Sequence, residues 1–158
     1  MSSAASPSDK PFIRPCTIWD ALELAVTMRQ EDVDEIYHSS KRAPLQALLR
    51  GFSVSESPMA IEWHGKVVAI FGVVGVAGQA GAPWMLGTDD LRRCRSLLRE
   101  CRKYLDRYTE QYRYLTNAVW SGNRVHIEWI KWLGFTFEGS DVRNGQTFLS
   151  FHRRYTDV

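Results

Sequence analysis

The chain has 158 residues, of which 44% are hydrophobic and 24% are charged, and its formal net charge is +2 at pH 7. This length and composition are typical of one globular domain, which we place at residues 11–158 behind a disordered tail at residues 1–10. The sequence contains no apolar run of the roughly 18 residues that a membrane span needs, and so small a net charge does not by itself indicate nucleic-acid binding.

The cysteines indicate a reducing compartment. Cys16, Cys94 and Cys101 are an odd number and lack the spacing of metal ligands. The N-terminal segment also lacks the basic and apolar regions of a secretory signal. We therefore predict a cytoplasmic protein with free thiols, no metal site and no membrane partner.

The first third of the chain predicts one strand and two or three short helices. Residues 12–17 have the pattern of a strand, and the apolar residues of 19–28 recur with helical spacing. The acidic stretch 30–35 predicts a solvated patch. Residues 44–50 predict a further helix, which we expect Gly51 to close.

The middle of the chain begins with a strand pattern. Two β-rich runs flank the dipeptide His64-Gly65, which predicts a tight hairpin. Residues 77–83 are small and predict a loop. Residues 84–86 predict a short strand that leads into the next helix.

A long amphipathic helix is predicted at residues 88–112. Its apolar residues alternate in steps of three and four over about six turns. The outer face is basic but interrupted by acidic residues, so it is either a solvated face with local ion pairs or a surface that attracts an anionic partner. Nucleic acid is the weaker candidate, because the stripe is interrupted and no recognised binding module accompanies it. The basic residues are Arg92, Arg93, Arg95, Arg99, Arg102, Lys103 and Arg107.

The stretch 115–138 reads as strand, helix and strand with almost no linker. Asn123 is a suitable cap for the helix, and Gly134 is suitable for its end because glycine adopts positive φ without a Cβ clash. The Asn-Gly pair at 144–145 then predicts a hairpin before a closing strand at 146–151. We expect the rest of the chain to be arranged around this stretch.

This order of elements resembles the C-terminal half of the GNAT family of acyl-CoA N-acyltransferases, whose pattern there is roughly N-x-x-A-x-x-L-Y-E-K-L-G-F. His126 and Trp129 depart from the pattern, and Ile130 stands where many members carry a Tyr proposed to protonate the leaving thiolate. The matching residues are Asn123, Leu133, Gly134 and Phe135.

A closer resemblance is to small GNAT-like proteins of short-tailed phages, some of them labelled internal virion proteins. Their corresponding stretch looks like V-W-x-G-N-x-x-H-I-x-F-L-K-x-I-G. The residues that fit this version are Val119, Trp120, Gly122, Asn123, His126, Ile127, Lys131 and Gly134.

The resemblance implies an α/β (α+β) fold with a mixed, mostly antiparallel central sheet of about six to seven strands, helices on both faces and a splayed central strand pair. It implies that acetyl-CoA or CoA lies between the splayed strands. The pantetheine amides would pair with the first of these strands, and the pyrophosphate would rest on the N-terminus of the long helix. The implied cofactor-binding residues are Trp84, Met85, Leu86, Gly87, Thr88, Leu91, Arg92, Arg93, Asn117, Trp120, Asn123 and His126.

Acyl transfer to an amine needs a base for the amine, N–H groups for the oxyanion and an acid for the thiolate. His126 is a candidate for binding the cofactor or relaying a proton, with Asn123 beside it; alternatively, they are a hydrogen-bonded interface residue and a helix cap. Glu62 and His64 are candidate bases, or else exposed hairpin residues.

Two hypotheses follow for the function. The leading one is a phage-encoded protein that binds acetyl-CoA or a related acyl-CoA and acetylates an amine of a small molecule or a host protein. The alternative is a non-catalytic scaffold that acts by protein contact as a virion component or host-takeover factor. Asp89 and Asp90 favour the alternative, because two negative charges at the expected phosphate position oppose a bound polyanion. The host cytoplasm or the virion is the expected location, and a homodimer is left open.

Overall fold

The computed structural model describes residues 10–76 and 78–156, and within them seven strands form one sheet with five α-helices packed around it. Of the tail expected at residues 1–10, only Lys10 is among the described residues. The strands are β1 (Phe12–Pro15), β2 (Met59–Trp63), β3 (Lys66–Val76), β4 (Ala80–Gly87), β5 (Tyr114–Trp120), β6 (Thr136–Arg143) and β7 (Gln146–Arg154). The helices are α1 (Ile18–Thr27), α2 (Gln30–Ser40), α3 (Pro44–Val54), α4 (Leu98–Tyr112) and α5 (Arg124–Trp132).

The strand order is β1-β2-β3-β4-β5-β7-β6, and every neighbouring pair is antiparallel except β4 and β5. These two strands are parallel and pair only through Ala80 with Tyr114 and Gly81 with Leu115. Beyond these residues each strand continues without pairing to the other. The expected mixed, mostly antiparallel sheet with a splayed central pair is therefore confirmed.

Two hydrophobic clusters fill the two faces of the sheet. The larger one packs α4 and α5 against the strands, with Leu105 and Trp129 among its buried side chains. The smaller one packs α1 and α3 against β2 and β3, with Leu24 at its centre. Because side chains alternate along a strand, neighbouring Ala60 and Ile61 of β2 enter opposite clusters. No helix in residues 10–76 and 78–156 is long and apolar enough to cross a membrane.

Two expectations for the first third of the chain are wrong. The stretch 30–35 is not a solvated patch but the start of α2, and Asp32 in it is only 1% exposed. Gly51 does not end α3, which continues to Val54. Gly51 is needed inside this helix because a Cβ at that position would lie 2.8 Å from the Trp84 ring.

The prediction of a six-turn helix at residues 88–112 is wrong for the first part of that range. Residues Asp89–Arg93 and Arg95–Leu97 form 3-10 turns, and the α-helix starts only at Leu98. A 3-10 helix has three residues per turn. The buried side chains of this segment follow that spacing, at Leu91, Cys94 and Leu97.

Both predicted hairpins are present. His64 and Gly65 have φ of +52° and +72°, and the Asn-Gly pair at 144–145 has φ of +50° and +77°. The loop expected at 77–83 is shorter than predicted, because β4 already starts at Ala80; Ala77 lies outside the described residues. The closing strand is longer than predicted and extends to Arg154.

Candidate functional site

The divergence of β4 and β5 leaves a split between them, and alternate residues of β4 direct their backbone groups into it. The carbonyl of Pro83 accepts a hydrogen bond from Asn117 Nδ2 at 2.7 Å, and the N–H of Gly87 donates to Asp32 at 2.8 Å. Both groups point away from β3. Met85 lies midway between them and has the same orientation, so its N–H and C=O face the split. The hydrogen bonds of the described residues give neither group a partner.

At the wide end of the split, the start of α2 is bonded to the last residue of β4. The N–H of Arg29 donates to the carbonyl of Gly87 at 2.9 Å, while Asp32 Oδ2 accepts from the Gly87 N–H. Asp32 Oδ1 also accepts from Asn123 Nδ2 at 2.8 Å, and Asp32 Oδ2 lies 2.9 Å from Arg29 Nε. Since Asn123 caps α5, Asp32 connects the end of β4 to the start of α5.

Glu35 lies about one turn further along α2 and holds the end of β5. Its Oε1 accepts from the Trp120 N–H and from Asn123 Nδ2, both at 3.1 Å. Burial, with the charge of Asp32 as the second cause, raises the pKa of Glu35 to about 8. A carboxyl group with this pKa gains and loses its proton near neutral pH.

His126 is held in one neutral tautomer. Its Nδ1 lies 3.2 Å from Nη2 of Arg29, and a guanidinium only donates, so Nδ1 accepts and the ring hydrogen is on Nε2. Burial lowers the pKa of His126 to about 4. The backbone N–H of His126 donates to Asn123 Oδ1 at 3.2 Å, so the helix cap also positions the imidazole. The sequence left open whether Asn123 is a helix cap or a functional residue. In the structure it caps α5, and its Nδ2 also donates to Asp32 and Glu35.

We call the four side chains Arg29, Asp32, Asn123 and His126, together with Glu35, the α2 network. Glu35 is half-buried, and the other four are buried. The sequence analysis proposed only Asn123 and His126 from this group. The other three were missed because their partners are 55 to 97 positions away in the chain, and no local spacing signals such contacts.

Two cavities border the split on opposite sides, and both are lined by Pro83, Met85 and His126. The cavity on the α4 and α5 side is apolar and has a volume of about 50 Å³. The cavity on the α2 and α3 side has a volume of about 330 Å³ and is also lined by Glu35 and Asn117. One water needs roughly 10–15 Å³ by this measure, so the smaller cavity is only a few waters in size, whereas the larger one is in the range of small-ligand sites.

The backbone of β4 does not fit a pantetheine arm along its length. Such an arm would pair with unbonded N–H and C=O groups that face the split. Gly87 is already bonded to α2, Pro83 has no N–H and its carbonyl is bonded to Asn117. Only Met85 retains open groups, while Trp84 and Leu86 direct their backbone groups towards β3.

The expected phosphate position, Thr88–Arg93, also does not fit its role. This segment is a short 3-10 turn, so the N-terminus of α4 is not there. The Thr88 N–H donates to the carbonyl of Val68 at 2.8 Å, and the Thr88 hydroxyl accepts from the Asp90 N–H. The amides of Thr88 and Asp90 are thereby occupied, the Leu91 N–H donates to the Thr88 carbonyl, and the carboxylates of Asp89 and Asp90 add negative charge.

The two tryptophans expected beside the cofactor do not fill the split. Trp84 packs on Gly51 of α3, and its Nε1 donates to Ser55 Oγ at 2.7 Å. Trp120 donates through Nε1 to Gln146 Oε1 at 3.1 Å, on the side of the β6–β7 hairpin. The split is therefore bounded by these rings but not plugged by them.

The other expected cofactor residues lie in the core or on the surface. Leu86 joins the α1 and α3 cluster, and Leu91 is buried in the α4 and α5 cluster. Arg92 is exposed. Arg93 lies over the Trp63 ring, with 5.3 Å between the guanidinium carbon and the ring centroid, and 3.9 Å from the Asp90 carboxylate.

The candidate bases Glu62 and His64 are not brought to the split, because Glu62 lies on β2 and His64 in the turn after it, and β3 lies between β2 and β4. Glu62 accepts from Arg14 Nε at 2.9 Å, and the His64 ring lies against Trp63 with ring centroids 4.4 Å apart. In residues 10–76 and 78–156, no three His, Cys, Asp or Glu side chains are grouped to hold a metal ion.

Solved structures similar to this chain are GNAT acetyltransferases. An acetyltransferase of the GNAT family from Streptococcus pneumoniae superposes with a TM-score of 0.62 at 17% identity, over 93% of this chain and 100% of that chain. A putative acetyltransferase from Salmonella typhimurium, solved with its cofactor acetyl-CoA, has a TM-score of 0.63 at 14% identity, over 91% and 93% of the two chains. At these identities the similarity shows the fold alone.

Sequence comparison connects the chain to phages. The family model described as "Bacteriophage T7, probable scaffold protein Gp13" matches residues 57–140, just over half of the chain. The "Probable scaffold protein gp13" of Escherichia phage T7 is 38% identical over 63 residues, which are 40% of this chain and 44% of that protein. The alignment thus spans less than half of this curated relative. The chain has the GNAT fold and belongs to the family of the bacteriophage T7 probable scaffold protein Gp13.

Proposed function

We propose that this chain acts by protein contact in the assembly of a phage particle, in the host cytoplasm or within the virion, and does not transfer acyl groups. The observation that carries the proposal is the α2 network, which bonds the wide end of the β4–β5 split to α2. The description of its family as probable scaffold proteins supports the same reading.

The energy needed to open the split supports this proposal. A pantetheine arm would have to separate α2 from Gly87 and Trp120, breaking hydrogen bonds that Asp32 and Glu35 accept. Such bonds contribute about 0.5–3 kcal/mol each. Breaking them would offset a sizeable part of the roughly 8 kcal/mol of binding free energy of a micromolar ligand.

Titration calorimetry tests the first half of the proposal. We expect no heat of binding when the full chain is titrated with CoA or acetyl-CoA up to about 1 mM, a concentration that detects binding free energies near 4 kcal/mol. The control ligand is ADP, which lacks the pantetheine arm. Saturable heat with CoA or acetyl-CoA but not with ADP would show that the split opens and would contradict the proposal.

Complementation tests the second half. In a phage that lacks the gene for this chain, we expect Glu35→Gln to restore particle yield as well as the wild type does, because the amide oxygen still accepts from Trp120 and contact surfaces are unchanged. The matched control is Glu128→Gln on the exposed side of α5. Loss of particles with Glu35→Gln alone would contradict a contact function and favour chemistry at Glu35.

A second candidate function, transfer of an acyl group to an amine, is favoured by one observation. Glu35 lines the 330 Å³ cavity with a pKa of about 8, so it is suited to accept a proton from an amine there. Trp129, whose buried Nε1–H has no partner in the described part of the chain, and His126 line the smaller cavity.

Thiol release from acetyl-CoA tests this candidate, with a polyamine and a Lys-containing peptide as amine probes. Transfer would predict measurable release by the wild type and a loss of about 10²-fold or more for Glu35→Gln. Absence of release above the uncatalysed rate with both probes would remove it.

A further inference from the structure

Helix α1 is apolar on its outer side as well as on its buried side. Ala21 and Leu24 face the core, yet Trp19 is 74% exposed and Val26 is 84% exposed on the other side. Helices that are apolar around their circumference are normally buried. We call the exposed apolar side chains of this helix the α1 stripe; they are Ile18, Trp19, Leu22 and Val26. At 100° per residue, these four positions fall within about 100° of the helix circumference.

The α1 stripe contains no charged side chain, and both charged residues of α1 have partners within the chain. Asp20 is buried and forms an ion pair with Arg14 at 2.7 Å. Glu23 is exposed, but its carboxylate accepts from the Val67 N–H at 2.6 Å. A polyanion therefore finds no counter-charge on this helix, and the stripe fits an uncharged, apolar partner.

The helix next to α1 also exposes apolar side chains. Helix α3 packs against α1 and exposes Leu45 and Leu49, with exposed fractions of 37% and 36%. Taking about 200 Å² for a fully exposed large apolar side chain, these six side chains expose on the order of 600 Å². The largest apolar patch on a typical monomer is about 300–600 Å², and each partner of a standard interface contributes about 800 Å².

We propose that the α1 stripe is the contact surface between two copies of this chain, related by a two-fold axis. A second copy presents the same uncharged, apolar surface, and about 600 Å² from each copy gives a contact of about 1,200 Å², the lower end of the range for specific interfaces. A two-fold contact also covers both stripes at once and closes the assembly at two chains. The stripe lies outside residues 57–140, and the contact is independent of whether the split binds an acyl-CoA.

Sedimentation equilibrium of the full chain tests the dimer, with lysine substitutions at two exposed valines as a matched pair. Val26→Lys places an ammonium group in the proposed contact, whereas Val142→Lys adds the same charge at a 71% exposed position on edge strand β6. We expect a wild-type dimer, a Kd raised about tenfold or more by Val26→Lys, and no change with Val142→Lys. Trp19→Glu is the second variant in the stripe and is expected to behave like Val26→Lys.

Three results would overturn the proposal. The first is a wild-type chain that stays monomeric at about 100 µM, a concentration at which an interface of this size associates by mass action. The second is a dimer that persists in both Val26→Lys and Trp19→Glu. The third is a dimer that Val142→Lys weakens as much as Val26→Lys does. Circular dichroism establishes that the variants are folded, which we expect because all three altered side chains are mainly in solvent. Capture of an unlike protein by a monomeric wild type through the stripe would likewise replace the second copy as its occupant.

Discussion

Glu35 is the residue whose proton we expect to govern stability above pH 6.5. Burial raises its pKa from 4.5 to about 8, so between these values the folded protein holds a proton that the unfolded chain has released. Stability therefore falls as the pH rises through this range. His126 has the opposite effect between about pH 4 and 6.5, since burial lowers its pKa and the unfolded chain holds the extra proton. The two effects nearly cancel up to pH 6.5, and above it only the Glu35 effect remains.

Urea denaturation at pH 6.5 and pH 8 measures this difference. We expect the wild type to lose about 1–2 kcal/mol over the interval, and Glu35→Gln to lose much less because glutamine does not titrate. Glu128→Gln, in the exposed part of α5, is the control and should keep the wild-type pH dependence. An equal loss in wild type and Glu35→Gln would mean that another group binds the proton.

Asn123 has two structural roles, so its replacement should be costly. It caps α5 through its Oδ1, and its Nδ2 donates to Asp32 and Glu35. We expect Asn123→Ala to lower the free energy of unfolding by about 2–4 kcal/mol, of which the cap accounts for about 1 and the lost bonds to Asp32 and Glu35 for the rest. Chemical denaturation measures the loss. Gln111→Ala, which removes an exposed bond to Glu56, should cost less than about 0.5 kcal/mol.

At the scale of elements, strands and hairpins were predicted well because their signals are local. Alternating side chains and the Asn-Gly and His-Gly turns are determined by neighbouring residues. The start of α4 was not predicted, although its sequence carried a usable signal. Leu91, Cys94 and Leu97 follow one another in steps of three, which fits a 3-10 turn, whereas the buried residues after Leu98 are four apart.

The role of α2 was not predictable from its own residues. An acidic helix start is typical of a solvated surface, and nothing within 30–40 indicates that Asp32 is buried. Its partners Gly87 and Asn123 come from other elements, so only the assembled sheet places them together. The resemblance located the split correctly, but the groups that close it are supplied by tertiary contacts.

The contact between α3 and β4 depends on a glycine. A Cβ at Gly51 would lie 2.8 Å from the Trp84 ring, which is itself tied to Ser55. We expect Gly51→Ala to push α3 from the sheet and to destabilise the fold by about 1–3 kcal/mol, despite the higher helix propensity of alanine. Thermal unfolding compared with Ser53→Ala, an exposed site on the same helix, measures the effect; equal midpoints would show that the indole moves aside freely.

At the scale of the whole molecule, the sheet consists of two halves with few direct bonds between them. Strands β1 to β4 form one half and β5, β7 and β6 form the other. Within the described residues the strand pairing between the halves is limited to Ala80 and Gly81, and the side chain of Asn117 adds one bond to the Pro83 carbonyl. Helix α4 covers the joint on one face. The α2 network is the tether at the opposite, wide end of the split, so the relative position of the halves depends on it.

Native-state hydrogen exchange distinguishes a tether from an ordinary part of the core. In Asp32→Asn the new amide cannot accept from both Gly87 and Asn123, so we expect the Gly87 N–H to exchange about 10–100 times faster, equivalent to about 1.4–2.8 kcal/mol. The Ala69 N–H in central strand β3 should keep its wild-type rate, because the halves separate without unfolding either one. Asp34→Asn, which alters an exposed bond to Gln30 on the same helix, should change neither rate. Equal acceleration at Gly87 and Ala69 would show instead that Asp32 stabilises the molecule only as a whole, and that the split has no independent opening.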